Sequence, residues 1–70
     1  MHIDIKKMKK KYLVIRFANY GENVIFLQGD GFFGSMRTKA KNFDSELEAE
    51  VEIVENKLIN ACIIPTYIEG

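Results

Sequence analysis

The chain has 70 residues, a formal net charge of zero, 47% apolar and 29% charged residues, and a single cysteine. This length accommodates one domain near the lower limit for folding on its own core. A single cysteine excludes an internal disulfide and favours a reducing, cytoplasmic location, and no segment approaches the roughly 18 apolar residues of a membrane span.

The neutral total combines two halves of opposite sign. Residues 1–41 hold nine Lys and Arg against three Asp and Glu, a net +6, whereas residues 42–70 hold one against seven, a net −6. We expect residues 1–11 to form a basic N-terminal arm and residues 12–70 to form a single small β-barrel domain. Such asymmetry is typical of an arm for an anionic partner, or of two halves that neutralise each other within the fold.

Two runs rich in β-branched and aromatic residues follow the arm, at 12–18 and 24–27. Runs of this composition predict strands. Residues 19–23 between them include Gly21 and two asparagines, which accept the positive φ angles of tight turns. The first two strands are therefore predicted to form a hairpin.

The next two predicted strands carry alternating charges of opposite sign. Basic residues alternate from Arg37 to Lys41 in the third strand, 32–41, and glutamates alternate from Glu46 to Glu52 along the fourth, 47–54. A period of two predicts strands, because successive side chains point to opposite faces. The intervening loop then sets a register that pairs opposite charges, namely Lys41–Glu46, Lys39–Glu48 and Arg37–Glu50.

A fifth strand is predicted at 58–64, ended by Pro65. Five short strands without a long crossover predict an all-β fold, a five-stranded antiparallel meander curled into a small SH3-like or OB-like barrel. Gly34 lies within the third strand and indicates a bulge or sharp bend, which suits a barrel corner.

The alternative is an α+β fold with a helix at about 45–61. Ser45 and Glu48 match a capping box, and one helical stripe carries the apolar residues Leu47, Val51, Val54, Leu58 and Cys62. This alternative leaves Ala49 and Ile53 on the polar side, and it places several β-branched residues in a helix, which they mildly disfavour. The sequence favours the strands.

The glycine-rich segment 29–34 is the most conspicuous loop, although it lacks the spacing of a phosphate-binding loop. It presents aromatic side chains that favour contact with a protein partner. The candidate partner-binding residues are Tyr20, Asp30, Phe32 and Phe33. Because the sequence shows no catalytic constellation, we predict a non-enzymatic interaction module, such as a small regulatory or inhibitory protein. A chain this short also gains core by pairing, which favours a homo-oligomer.

Binding of nucleic acid is the alternative function. Lysines release counterions from phosphates, and aromatic rings offer stacking faces to bases. The candidate residues are Lys6, Lys7, Lys9, Lys10, Lys11, Tyr12 and Arg16. No cofactor or metal site is predicted, since His2 and Asp4 have no second histidine to join them and Cys62 is expected to be a buried apolar residue.

Overall fold

Four antiparallel strands and one helix make up the fold in the computed structural model, which describes residues 8–69. The elements are β1 (Met8–Ala18), β2 (Asn23–Leu27), β3 (Phe33–Gly34), α1 (Glu46–Glu55) and β4 (Ala61–Glu69). The strand order is β3-β2-β1-β4, and the sheet is open, with β3 and β4 at its edges. The prediction of a five-stranded meander closed into a barrel is wrong.

The charge alternation was misleading at both predicted strands. The third strand ends after two residues, and Arg37–Lys39 form a 3₁₀ turn instead. The fourth is replaced by α1, so the predicted register between the two runs of charge does not exist. Glutamates at every second position are compatible with a helix as well, because at 100° per residue they spread around its circumference.

The capping box at the start of α1 explains why the helix forms. The Ser45 hydroxyl accepts a hydrogen bond from the Glu48 N–H at 3.1 Å, and the Glu48 carboxylate accepts one from the Asp44 N–H, also at 3.1 Å. The first bond satisfies a backbone donor that a helix leaves without a partner in its first turn, and the second ties the Glu48 side chain to the residue before the N-cap. Glu46 and Glu48 also place negative charge at the positive end of the helix dipole.

α1 covers only the first part of the segment 45–61 that the helical alternative proposed. The side of α1 that packs against the core is the one that this alternative had assigned to solvent. Ala49 is fully buried and Ile53 is half-buried against the core. Leu47 and Val54, on the stripe that the alternative buried, are 67% and 74% exposed. The small Ala49 side chain allows α1 to lie close to the sheet, and that contact sets the rotation of the helix.

β1 is one of the two inner strands of the sheet and begins earlier than predicted. It pairs with β4 from Met8–Glu69 to Arg16–Ala61 and with β2 from Ile15–Phe26 to Ala18–Asn23. Residues 8–11, which we assigned to the basic arm, thus belong to the sheet, and the rest of that arm lies outside the described residues.

A two-way backbone bridge ties the second half of the chain to β1. Tyr12 donates its N–H to the Phe43 carbonyl at 2.9 Å and accepts the Phe43 N–H at 2.8 Å. Phe43 therefore pairs with β1 on the same side as β2, at a point on β1 before the residues that pair with β2. Its buried ring joins Val14, Leu27 and Ala49 in the core between α1 and the sheet.

Pro65 lies in the middle of β4, where the sequence predicted the end of a strand. Its partner on β1 is Tyr12, whose N–H and carbonyl both point to Phe43 and hence away from β4. Tyr12 and Pro65 are therefore a non-hydrogen-bonded pair, so the missing N–H of proline faces the outer edge of the sheet. Proline on this edge hinders pairing with another chain.

The rotation of α1 can be tested with two substitutions two residues apart. Ala49→Leu should lower the free energy of unfolding by about 1–3 kcal/mol, because the enlarged side chain has no space to occupy. Leu47→Ala should change it by less than about 0.5 kcal/mol, since the leucine is mostly exposed. Urea unfolding followed by circular dichroism measures both, and a larger loss for Leu47→Ala would refute the rotation.

The charge pairing can be tested by double-mutant cycles. Lys41 Nζ lies 3.1 Å from a Glu52 carboxylate oxygen, so Lys41→Gln and Glu52→Gln should show a coupling of about 0.2–1 kcal/mol that weakens in salt. The matched control is the cycle of Lys39→Gln with Glu48→Gln, for which we expect no coupling. Coupling in the control alone would support the hairpin register over the helix.

Candidate functional site

The aromatic residues of the predicted contact site do not come together. Tyr20 is fully exposed in the turn between β1 and β2, with a φ of 57° that is unusual for a bulky residue. Phe32 is exposed in the turn between β2 and β3, at the other end of β2. Five residues of strand separate the two turns by about 16 Å.

Asp30 and Phe33 contribute to the structure of this region. The Asp30 carboxylate accepts a hydrogen bond from the Phe32 N–H at 3.0 Å, which is the arrangement of an Asx turn. Phe33 is half-buried against the core, and the Arg16 guanidinium carbon lies 4.1 Å from the centre of its ring. Of the four predicted residues, only Tyr20 and Phe32 present their rings to solvent.

The predicted nucleic-acid residues lie along β1 but divide between the two faces of the sheet. Strand alternation places Lys10, Tyr12 and Arg16 on the face that carries α1, and it places Lys9 and Lys11 on the opposite face. Lys6 and Lys7 lie outside the described residues. The basic set is therefore not one continuous surface within residues 8–69.

Several of these side chains already have partners within the chain. Arg16 Nε donates to the Ile59 carbonyl at 3.1 Å while its guanidinium stacks on Phe33. Lys10 Nζ lies 5.5 Å from the centre of the Tyr12 ring. Lys11 forms a salt bridge with Asp44. Many basic side chains of the first half of the chain therefore make contacts within the protein and stabilise its fold.

The salt bridge at Lys11 alters the acidity of its partner. Lys11 lowers the pKa of the Asp44 carboxyl below its ordinary value, first by its hydrogen bond and then by its charge, and Lys9 adds a smaller effect of the same sign. Both lysines project from the face of β1 opposite α1. Asp44 thus lies in a positive local field.

A surface that the sequence analysis did not propose lies on the outer side of α1. Leu47, Val51 and Val54 are all exposed at positions i, i+4 and i+7, and they line a shallow cleft of about 370 Å³. Glu50 and Glu55 form its rim. The sequence shows this apolar stripe, but the helical alternative predicted that it would be buried in the core. We call these five residues the outer helix face.

The helix is strongly acidic around this stripe. It carries five glutamates and no basic residue. Glu52 pairs with Lys41 and Glu48 caps the helix start, whereas Glu46, Glu50 and Glu55 have no salt bridge with any described residue. The outer helix face therefore combines exposed apolar side chains with unneutralised negative charge.

Cys62 is exposed, contrary to the prediction of a buried thiol. It lies on the edge strand β4, on the face opposite α1, as the partner of Ile15. Among residues 8–69 no three His, Cys, Asp or Glu side chains are placed to hold a metal ion, and His2 and Asp4 lie outside this range. The helix in the described part of the chain is too short to cross a membrane.

Comparison with known proteins finds no matching family model, no matching curated protein and no matching solved structure. The geometry of the residues is therefore the basis for a functional proposal.

The Lys11–Asp44 salt bridge predicts a specific dependence of stability on pH. Because the folded-state pKa of Asp44 is depressed, its contribution is present above the ordinary pKa of about 4 and is lost as pH falls through the lower folded value. Wild type should exceed Asp44→Asn in stability at neutral pH, and the difference should shrink on acidification.

Thermal unfolding of both proteins over a pH series measures this difference. In a Lys11→Gln background the effect of Asp44→Asn should become smaller and less dependent on pH, since the principal cause of the depressed pKa is removed. An unchanged difference in that background would contradict the assignment of Lys11 as the partner.

Proposed function

We propose that the protein is a binding module whose outer helix face captures a basic amphipathic helix of a partner protein. The observation that carries this proposal is the exposed stripe of Leu47, Val51 and Val54 on a helix whose opposite side is already packed. Apolar residues at i, i+4 and i+7 fit the helix-in-groove mode of recognition, in which one amphipathic helix packs along another surface.

The size of the stripe indicates how tightly such a partner binds. Leu47 and Val54 lie seven positions apart, which is about 10 Å along the helix. Removing the exposed parts of the three side chains from water contributes about 3–5 kcal/mol to binding. The loss of translational and rotational freedom on association costs at least about 4 kcal/mol. The apolar contacts alone therefore give little net affinity, and charge and neighbouring surface must supply the rest.

The charge of the rim selects the chemistry of the partner. Glu50 and Glu55 border the cleft, and neither has a basic partner among the described residues. A helix with lysine or arginine beside its apolar stripe would neutralise them, whereas an acidic helix would be repelled. A second copy of α1 would place glutamates against glutamates, so the charge argues against self-association through this face.

The intramolecular contacts of the basic residues favour this proposal over nucleic-acid binding. Lys11 is bridged to Asp44, and Arg16 is held by Phe33 and Ile59. Of the aromatic residues predicted to contact a partner, the two with exposed rings, Tyr20 and Phe32, are separated by the length of β2. The outer helix face presents more apolar side chains at one place than either turn does.

The test uses two labelled synthetic helices of about 15 residues, the length at which isolated helices become stable. Both carry leucines at i, i+3, i+4 and i+7, and the flanking positions are lysine in one and glutamate in the other. Fluorescence anisotropy should give the lysine helix weak, saturable binding at low salt, with a dissociation constant of about 1 mM, and the glutamate helix should bind at least about tenfold more weakly.

Variants of the protein then locate the contact. Leu47→Ser combined with Val54→Ser should weaken capture of the lysine helix at least about tenfold, while Phe32→Ser removes an exposed apolar ring elsewhere and should leave it unchanged. Equal binding of both helices, or an equal loss with Phe32→Ser, would overturn the proposal. So would concentration-dependent dimerisation that the double variant abolishes, because the face would then be covered by a second copy.

A further inference from the structure

A second cleft lies on the face of the sheet opposite α1. Its volume is about 230 Å³, and Leu13, Arg37, Thr38, Asn42, Thr66, Tyr67 and Ile68 line it. Leu13 and Val14 are consecutive residues of β1, and Val14 packs toward α1, so Leu13 faces the other way. The 3₁₀ turn Arg37–Lys39 borders the cleft, and β1 and β4 supply its floor.

The backbone fixes this turn in place on both sides. The Lys41 N–H donates to the Leu27 carbonyl at 2.8 Å at the end of β2, and the bridge between Phe43 and Tyr12 follows two residues later. Within the turn, the Ala40 N–H donates to the Arg37 carbonyl at 3.0 Å. Arg37 is therefore held at the cleft by a short, hydrogen-bonded segment of the chain.

The Arg37 guanidinium is oriented by a buried hydroxyl. One of its terminal nitrogens donates to Thr66 Oγ1, and Thr66 is only 5% exposed. No carboxylate of residues 8–69 forms a salt bridge with Arg37. A guanidinium has five N–H donors in a planar fork, so most of them remain available to a ligand after the bond to threonine.

Other positive charges surround the cleft on the same face of the sheet. Lys9 and Lys11 are the β1 partners of the lining residues Ile68 and Thr66. Lys11 is paired with Asp44, which offsets its charge, whereas Lys9 forms no salt bridge with any of residues 8–69. Glu69 pairs with Met8 and therefore lies on the other face of the sheet. The field at the cleft is positive, while Leu13 and Ile68 keep its floor apolar.

We propose that this cleft binds a small monocarboxylate with a short apolar chain, the carboxylate pairing with Arg37 and the chain lying on Leu13 and Ile68. Arginine binds carboxylates through two parallel hydrogen bonds, and the hydroxyl of Thr38 and the amide of Asn42 line the same opening. The cleft, at about 230 Å³, has room for a short acyl chain, and hexanoate is a suitable probe of this class.

Hexanoate and hexanamide are the matched probes, because they differ only in the charged group. Titration of isotope-labelled protein, followed by amide shifts in nuclear magnetic resonance spectra, should show hexanoate saturating at a dissociation constant of about 0.1–1 mM. The shifts should centre on residues 37–38 and 66–68. Hexanamide should bind at least about tenfold more weakly.

Four variants separate the role of the Arg37 guanidinium from general surface charge and from the outer helix face. Arg37→Gln should weaken hexanoate binding at least about tenfold, and Lys39→Gln, which removes the same charge from the same turn, should leave it nearly unchanged. Asp44→Asn frees the positive charge of Lys11 and should strengthen binding about two- to fivefold. Leu47→Ser with Val54→Ser should have no effect, so this inference and the proposed function fail independently.

Several outcomes would overturn the inference. Equal binding of hexanoate and hexanamide would remove the carboxylate from the recognition, and this comparison needs only the wild-type chain should Arg37→Gln fail to fold. An equal loss with Lys39→Gln would show that only diffuse charge matters. Identical shifts with inorganic phosphate at matched ionic strength would show that the cleft accepts any anion without using its apolar floor.

Discussion

The contact between Ala49 and the sheet determines which surfaces this protein presents. A larger residue there would hold α1 away from Val14, Leu27 and Phe43, whereas alanine allows close approach. With Ala49 and Ile53 turned toward the core, the rotation of α1 directs Leu47 and its stripe to solvent. The exposed apolar face is thus a consequence of how the core is filled.

The opposite charges of the two halves stabilise the chain mainly where it crosses back to β1. Lys11 meets Asp44 and Lys41 meets Glu52, on either side of the bridge that Phe43 makes with β1. Solvent and salt screen exposed pairs of this kind, so each contributes little, and hydrophobic burial and backbone bonds dominate stability. These pairs neutralise Lys11 with Asp44 and Lys41 with Glu52. The other glutamates keep the helix acidic, and Arg37 keeps its cleft basic.

Local chemistry made some elements predictable from the sequence, while tertiary contacts decided the rest. β1 and β2 lie where β-branched runs indicate strands, and Ser45 with Glu48 marks the start of the helix. Alternating glutamates suit a strand and a helix alike, so their pattern could not decide between them. Pro65 is tolerated only because of where Tyr12 directs its hydrogen bonds, which no local pattern encodes. The candidate sites depend on such contacts, and of the residues we predicted to contact a protein partner, only Tyr20 and Phe32 expose their rings.

The two surfaces lie on opposite faces of one small sheet and are joined by the segment from Arg37 to Ser45. One end of this segment carries the guanidinium to the cleft, and the other end caps α1. Its middle is fixed by backbone bonds from Lys41 and Phe43 to β2 and β1. Coupling between sites requires an element with two arrangements, and a segment pinned at both strands provides only one. These backbone bonds therefore separate the cleft at Arg37 from the capped start of α1.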